Sequence, residues 1–163
     1  MILSVAEKPS VAKELANIIG QGRASRRNGA SPYNPMFDIN GCEWRGGQAN
    51  MIITSVTGHL MEIEFEAAYK GWGSCNPQEL FTAPIIKHVK KENEGIKTNL
   101  TKEAKKCQFL LLWLDCDLEG ENICYEVIQV CKEANPRLDV FRARFSALIP
   151  RYCISHSRIF AQN

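Results

Sequence analysis

A run of six apolar residues, Phe109 to Leu114, ends directly in a cluster of acidic side chains. Four carboxylates follow within seven positions: Asp115, Asp117, Glu119 and Glu121. The apolar run has the length of a buried strand. Carboxylates packed this closely either take up protons or hold a hard divalent cation, and ligands that are all oxygen favour Mg²⁺, Mn²⁺ or Ca²⁺ over Zn²⁺. The run therefore predicts a cation-binding site at the end of a buried strand.

Apolar runs of strand length alternate with segments of helical period along the chain. Strands are predicted at 2–6, 51–56, 109–114 and 140–145, helices at 10–20, 96–104 and 123–131, and a hairpin around Asn40 and Gly41. Residues 57–92 receive no assignment. Strands without alternating polarity, separated by helices, indicate a parallel sheet covered on both faces. Ligands of such sheets bind beyond the carboxyl ends of the strands, so Glu7 and Asp115 are expected to meet at one edge.

Size and composition fit one globular domain. The chain has 163 residues, of which 45% are hydrophobic, and a formal net charge of +2 that does not by itself indicate a nucleic-acid partner. Seven cysteines without a C-x-x-C pair argue against a disulfide framework or a structural zinc site and favour a reducing compartment. No stretch reaches the length of a membrane span. Two basic runs are expected to be solvated surface: Arg23, Arg26, Arg27 and Lys87, Lys90, Lys91.

A calcium loop is the main alternative interpretation of the acidic run. Five residues match positions 1, 3, 5, 6 and 12 of an EF-hand loop: Asp115, Asp117, Glu119, Gly120 and Glu126. An EF-hand needs a helix entering the loop, whereas the preceding apolar run has the length of a strand. Asn122 also stands where the loop needs a hydrophobic residue. The end of a sheet strand is therefore the favoured interpretation.

Two motifs at predicted strand ends resemble the two halves of the Toprim domain. The first is Val5-Ala6-Glu7-Lys8-Pro9-Ser10, and the second is the D-x-D-x-E-G-E-N sequence of residues 115–122. Residues 54–60, 72–77 and 142–146 are similar to the N-terminal domain of eukaryotic DNA topoisomerase III, the alpha form more than the beta form. The resemblance covers residues 1–150 and implies an α/β Toprim fold, a Rossmann-like parallel sheet with helices on both faces. Residues 151–163 are interpreted as a divergent C-terminal tail.

The resemblance implies catalytic roles for five residues near the predicted edge. Glu7, Asp115 and Asp117 would bind Mg²⁺ next to the phosphate that is cleaved, with Glu119 nearby. Lys8 would contact a phosphate oxygen, and it counts both as a catalytic and as a DNA-binding residue. Without the resemblance, Glu7 would be interpreted as a surface acid at a strand end, and Lys8 equally well as an exposed lysine.

Further DNA contacts are implied for three other residues. His59 would lie near the DNA backbone, with a partly buried structural histidine as the alternative. Arg142 and Arg144 alternate along a predicted strand, so both would face an acidic site or a phosphate on the same side. Trp72 and Trp113 are interpreted as packing residues and not as platforms for base stacking.

The sequence departs from the family pattern in two places. Leu118 stands where many members carry Arg in D-x-D-R-E-G-E. These topoisomerases cleave DNA with a tyrosine in a separate domain several hundred residues away, and none of the tyrosines of this chain lies in such a motif. The chain is therefore expected to be a truncated or alternatively ended product that is inactive in isolation.

The predicted function is the Mg²⁺ and DNA-phosphate half of a type IA topoisomerase active site. The enzyme would pass one strand of DNA through a transient tyrosyl-linked break in another. The resemblance implies single-stranded regions of DNA as substrate, a nuclear location, a part in DNA recombination, and a RecQ-type helicase and an OB-fold accessory protein as partners. A stand-alone Toprim metal-dependent nuclease and a non-catalytic DNA-binding fragment are the alternatives.

Overall fold

A six-stranded sheet with helices on both faces dominates the structure, a computed structural model that describes residues 1–143. Its strands are β1 (Ile2–Ala6), β2 (Ser25–Arg27), β3 (Met36–Trp44), β4 (Gly47–Ser55), β7 (Phe109–Trp113) and β8 (Asp139–Arg142). Strands β5 (Met61–Phe65) and β6 (Ile85–Val89) form a separate hairpin. The helices are α1 (Pro9–Gly20), α2 (Glu94–Ala104) and α3 (Leu118–Ala134).

The strand order is β2-β3-β4-β1-β7-β8, and the four strands from β4 to β8 are parallel. Strand β1 lies in the middle, with Ile2 opposite Met51 of β4 and Phe109 of β7. Strands β2 and β3 add an antiparallel extension. The predicted α/β class with a parallel sheet is confirmed, and the antiparallel extension is an addition to it.

The predicted hairpin around Asn40 and Gly41 is wrong. Both residues lie within β3, where the pairing with β4 shifts register and Gly41 has a φ of +70°. An extra residue in a strand produces such a bulge, and glycine adopts the positive φ without strain. The chain turns instead at Arg45 and Gly46, whose φ values of +50° and +78° are typical of a tight hairpin.

Strand residues alternate between two apolar layers. On one face Leu3 and Leu110 pack with α2 and α3, and on the other Ile2 and Leu111 pack with α1. Fully burying such a side chain stabilises the fold by about 1.5–3 kcal/mol. The two layers fix the sheet between the helices, and they thereby fix where the strands end.

The segment that received no assignment, residues 57–92, holds the β5–β6 hairpin and two short 3₁₀ helices, Ala67–Tyr69 and Pro77–Phe81. Several of its apolar side chains are exposed, and Trp72 is fully exposed. The interpretation of Trp72 as a packing residue is therefore wrong, whereas Trp113 is buried as predicted. Within residues 1–143, no helix is both long enough and apolar enough to cross a membrane.

Candidate metal and DNA-binding edge

The carboxyl ends of the four parallel strands meet along one edge of the sheet. Because β4, β1, β7 and β8 run in the same direction, the segments that follow them emerge side by side. The chain leaving β4 is fixed to β1 by the hydrogen bond from the Val56 N–H to the Ala6 carbonyl, at 2.9 Å. His59, Glu7 and Asp115 therefore come from three neighbouring strands.

Glu7 and Asp115 are brought together as the sequence predicts. The Glu7 side chain is almost buried, and its Oε2 accepts a hydrogen bond from the Asp115 N–H at 3.0 Å. Lys8 joins the two acids, because its Nζ lies 3.3 Å from Glu7 Oε1 and 3.7 Å from Asp115 Oδ2. The hydrogen bond and charge of Glu7, and then the charge of Asp115, raise the pKa of Lys8. This edge already holds one positive charge between two carboxylates.

Asp117 and Glu119 occupy the start of α3. Asp117 is the N-cap, and its Oδ1 accepts from the Gly120 N–H at 2.7 Å, which satisfies one of the free donors of the first helical turn. Its Oδ2 remains for another partner. Glu119 projects into solvent, with Oε1 4.0 Å from Nε2 of His59.

The three predicted metal ligands fit a hard cation by chemistry, since all supply carboxylate oxygens. Two of them face the same lysine ammonium, which marks a point where positive charge is stabilised. Asp117, in its capping position, does not converge with them. Within residues 1–143, one group of three possible ligands has its atoms within 4.8 Å of one another: Glu62, Glu64 and His88.

The Glu62, Glu64 and His88 group lies on the β5–β6 hairpin, within residues 57–92, where the sequence pattern predicted no element and so gave no signal for it. Glu62 and His88 are opposite each other in the hairpin register, with His88 Nε2 3.1 Å from Glu62 Oε1. Glu64 pairs with Lys70. Each of these side chains thus has a partner without a metal.

Arg142 is buried and holds backbone carbonyls and Glu121, an acidic partner, while its predicted contact with DNA stays a prediction. Its side chain is 8% exposed, and its guanidinium donates to the carbonyls of Leu114 at 2.8 Å, Asp115 at 2.8 Å and Ala143 at 3.1 Å. It also bonds Glu121 Oε1, at 3.1 Å from Nε. These bonds occupy the donors that a phosphate would need. Arg144, its predicted neighbour in phosphate contact, lies outside the described residues.

The structure rejects the EF-hand alternative. A strand enters the acidic run, and Glu126, the residue at loop position 12, lies within α3, which already begins at Leu118. Glu126 instead accepts hydrogen bonds from the N–H groups of Leu60 and Met61. His59 contacts the same carboxylate through Nδ1 at 3.3 Å. The sequence matched the loop by spacing alone.

Both basic runs were predicted to be solvated surface, but one member of each run pairs with a buried carboxylate. The guanidinium of Arg27 lies 2.6 Å from Asp38 and 3.2 Å from Glu103. Because Glu103 is buried, Arg27 neutralises a carboxylate in the core. Lys87 lies 3.7 Å from Glu126, which is also buried. Arg23 and Arg26 are exposed, as expected.

A parallel sheet with carboxylates from two strands at its carboxyl edge is typical of α/β domains whose ligands bind beyond the strand ends. The family model for the Toprim domain matches residues 2–148, and the chain belongs to this family. The division of the chain at residue 150 falls outside the described residues and stays a prediction.

Proteins with similar sequences carry the name DNA topoisomerase 3. The chain is 51% identical to DNA topoisomerase 3 of Dictyostelium discoideum, over 92% of this chain and 18% of that protein. It is 49% identical to DNA topoisomerase 3-alpha of Arabidopsis thaliana, over 92% and 16%, and 40% identical to the 3-beta form of that plant, over 90% and 17%. The resemblance to eukaryotic topoisomerase III, alpha form first, is confirmed. The chain spans less than a fifth of the length of these relatives.

Proposed function

We propose that this chain supplies the Mg²⁺ and DNA-phosphate half of a type IA topoisomerase active site. The observation that carries the proposal is the pairing of Glu7 and Asp115 through the Lys8 ammonium at the carboxyl edge of the sheet. The two carboxylates provide oxygen ligands for a metal ion, and the Lys8 ammonium provides a positive charge for a phosphate. The name of the relatives makes DNA the substrate that fits this chemistry.

Glu7 and Asp115 would hold the ion directly, with Asp117 nearby at the start of α3. The metal, when bound, would orient the scissile phosphodiester and offset the charge that develops in transesterification. Lys8 would then exchange its carboxylate partners for a phosphate oxygen, since an ammonium on a flexible stem is free to turn between them. Arg142 would support the site indirectly, because it fixes the backbone carbonyls of Leu114 and Asp115.

The attacking tyrosine would come from outside this edge. Among residues 1–143, no tyrosine hydroxyl hydrogen-bonds to Glu7, Lys8 or the acidic run of β7 and α3. The whole enzyme would act in the nucleus on single-stranded regions of DNA, in recombination, with a RecQ-type helicase and an OB-fold accessory protein. A nuclease of this fold would instead cut DNA without forming a tyrosyl adduct, and a binding fragment would retain DNA without cutting it.

The first prediction concerns the metal. Mg²⁺ should raise the melting temperature of the wild-type chain, because a ligand that binds only the folded state stabilises it. Changing Asp115 and Asp117 together to Asn should remove this response. Lys8→Met should keep or increase it, because the competing ammonium is gone. The measurement is the melting temperature of each variant with and without Mg²⁺, and an equal response in wild type and the double variant would contradict the metal site.

The second prediction concerns DNA. Each phosphate contact with a single strand contributes about 0.7 to the slope of log affinity against log salt concentration. Lys8→Ala should therefore flatten the slope by about 0.7, and Lys8→Ala with Arg144→Ala by roughly one to two units. The melting temperature should change little with Lys8→Ala, since the side chain is 59% exposed.

The control for the DNA prediction is Arg23→Ala with Arg26→Ala, which removes two exposed cations away from the edge. Titrations of a fluorescent single strand at several salt concentrations provide the slopes. If the control variant loses the slope while the Lys8 variant keeps it, DNA does not bind at the carboxyl edge.

A further inference from the structure

A buried carboxylate that the predicted site does not use lies on α3. Glu126 is 3% exposed, yet it faces His59 and Lys87 at the carboxyl edge. Its Oε2 accepts from the N–H groups of Leu60 at 2.8 Å and Met61 at 3.1 Å, so this oxygen fixes the start of β5. A buried carboxylate needs such partners, because leaving it unpaired costs several kcal/mol. Oε1 is left for the side chains.

Oε1 of Glu126 lies 3.3 Å from Nδ1 of His59 and 3.7 Å from Nζ of Lys87. An ionised carboxylate only accepts hydrogen bonds, so the hydrogen of the His59 contact belongs to Nδ1. A neutral imidazole carries one hydrogen, so Nε2 is then the nitrogen without a hydrogen. The contact with Glu126 thereby selects the tautomer of His59.

The backbone of His59 is held as firmly as its ring. Its carbonyl accepts from the side-chain amide of Asn93 at 2.9 Å, and the preceding Gly58 has a φ of +81° that lets the chain turn there. The ring is 34% exposed and its Nε2 lies 4.0 Å from Glu119, on the side of the acidic run. Nε2 is therefore the atom of His59 that faces the proposed DNA path.

We propose that Glu126 is a positioning residue that holds His59 by Nδ1 and directs Nε2 at a DNA phosphate. The inference rests on the proposed function and deepens it by naming the residue and the atom. A phosphate beside Nε2 favours a proton on that nitrogen, and Glu126 stabilises the imidazolium that results, as carboxylates do for histidines in other sites. The charged groups that face the ring are Glu126, Glu119 and Lys87.

Glu126→Gln separates this role from that of a simple backbone cap. The amide oxygen of Gln still accepts from the Leu60 and Met61 N–H groups, so the variant should fold. Its NH₂ group, however, is turned toward Nδ1 of His59 and makes that nitrogen an acceptor. The hydrogen of the neutral ring should then move to Nε2. Glu133→Gln, an exposed change on the same helix, is the matched control.

The tautomer is read from long-range ¹H–¹⁵N correlations of the imidazole in the full chain, above the ordinary His pKa of about 6.5. His59→Gln identifies the signal among the three histidines. We expect Nδ1–H in the wild type and in Glu133→Gln, and Nε2–H in Glu126→Gln. Nε2–H in the wild type would overturn the role of Glu126.

A double-mutant cycle tests the link to DNA. Glu126→Gln should weaken binding of a fluorescent single strand about five- to tenfold in the wild type. In a His59→Ala background it should have less than about a twofold effect, because Glu126 acts only through His59. Equal effects in both backgrounds would overturn the proposal. A wild-type chain with the Nδ1–H tautomer that does not bind the strand would overturn the proposed function and the phosphate contact, and leave the Glu126–His59 contact intact.

Discussion

Gly120→Ala is expected to destabilise the protein by about 2–4 kcal/mol, although alanine is the better helix former. A Cβ at this position would lie 2.1 Å from the Asp115 carbonyl oxygen and 3.0–3.1 Å from two further backbone atoms of that residue. Backbone atoms cannot move aside as a flexible side chain does. Asp115 would therefore shift, and with it the hydrogen bonds to Glu7 and Arg142.

Urea unfolding monitored by circular dichroism measures the loss, and the Mg²⁺ response of the melting temperature reports the effect on the edge. Gly47→Ala is the matched control, since its nearest neighbour would be the Trp44 carbonyl oxygen at 3.8 Å. This control should change the free energy of unfolding by less than about 0.5 kcal/mol. A Gly120→Ala variant as stable as the control would mean that Asp115 is not held against the start of α3.

The position of the acids was predictable because it depends on local sequence and on the direction of the strands. The apolar run before Asp115 and the strand before Glu7 are both buried and parallel, and parallel strands bring their carboxyl ends to one edge. The length of α1 was predictable for a similar reason. Its apolar residues recur at helical spacing, and it ends at Gly20 before Gln21, which takes a left-handed conformation.

The partners of Glu126 and Arg142 were not predictable, because they depend on contacts between segments far apart in the chain. Glu126 meets residues 59–61, and nothing in the spacing of α3 distinguishes it from an exposed glutamate. Arg142 alternates with Arg144 along the sequence, which suggested a shared surface role, but β8 turns its guanidinium into the space under the β7–α3 connection. Only the assembled sheet reveals these contacts.

Arg142→Met is expected to lower the free energy of unfolding by about 2–4 kcal/mol. Methionine fills much of the same volume but has no donor, so the buried carbonyls of Leu114 and Ala143 and the part-buried carbonyl of Asp115 lose their partner. Glu121 is half exposed, and water replaces its lost partner at little cost. The loss therefore comes mainly from the unpaired carbonyls.

Two comparisons separate this support of backbone carbonyls from a DNA contact. Arg137→Ala removes an exposed arginine just before β8 and should change the free energy of unfolding by less than about 0.5 kcal/mol. Arg142→Lys keeps the positive charge but presents a single nitrogen in place of the guanidinium fork, so it should recover only part of the stability. If Arg142 instead bound DNA directly, Arg142→Lys would retain the salt slope of single-strand binding and Arg142→Met would lose it without a change in stability. We expect the opposite result. The free energy of unfolding falls in both variants, and the salt slope of single-strand binding, set by the exposed Lys8, stays close to that of the wild type wherever the chain remains folded.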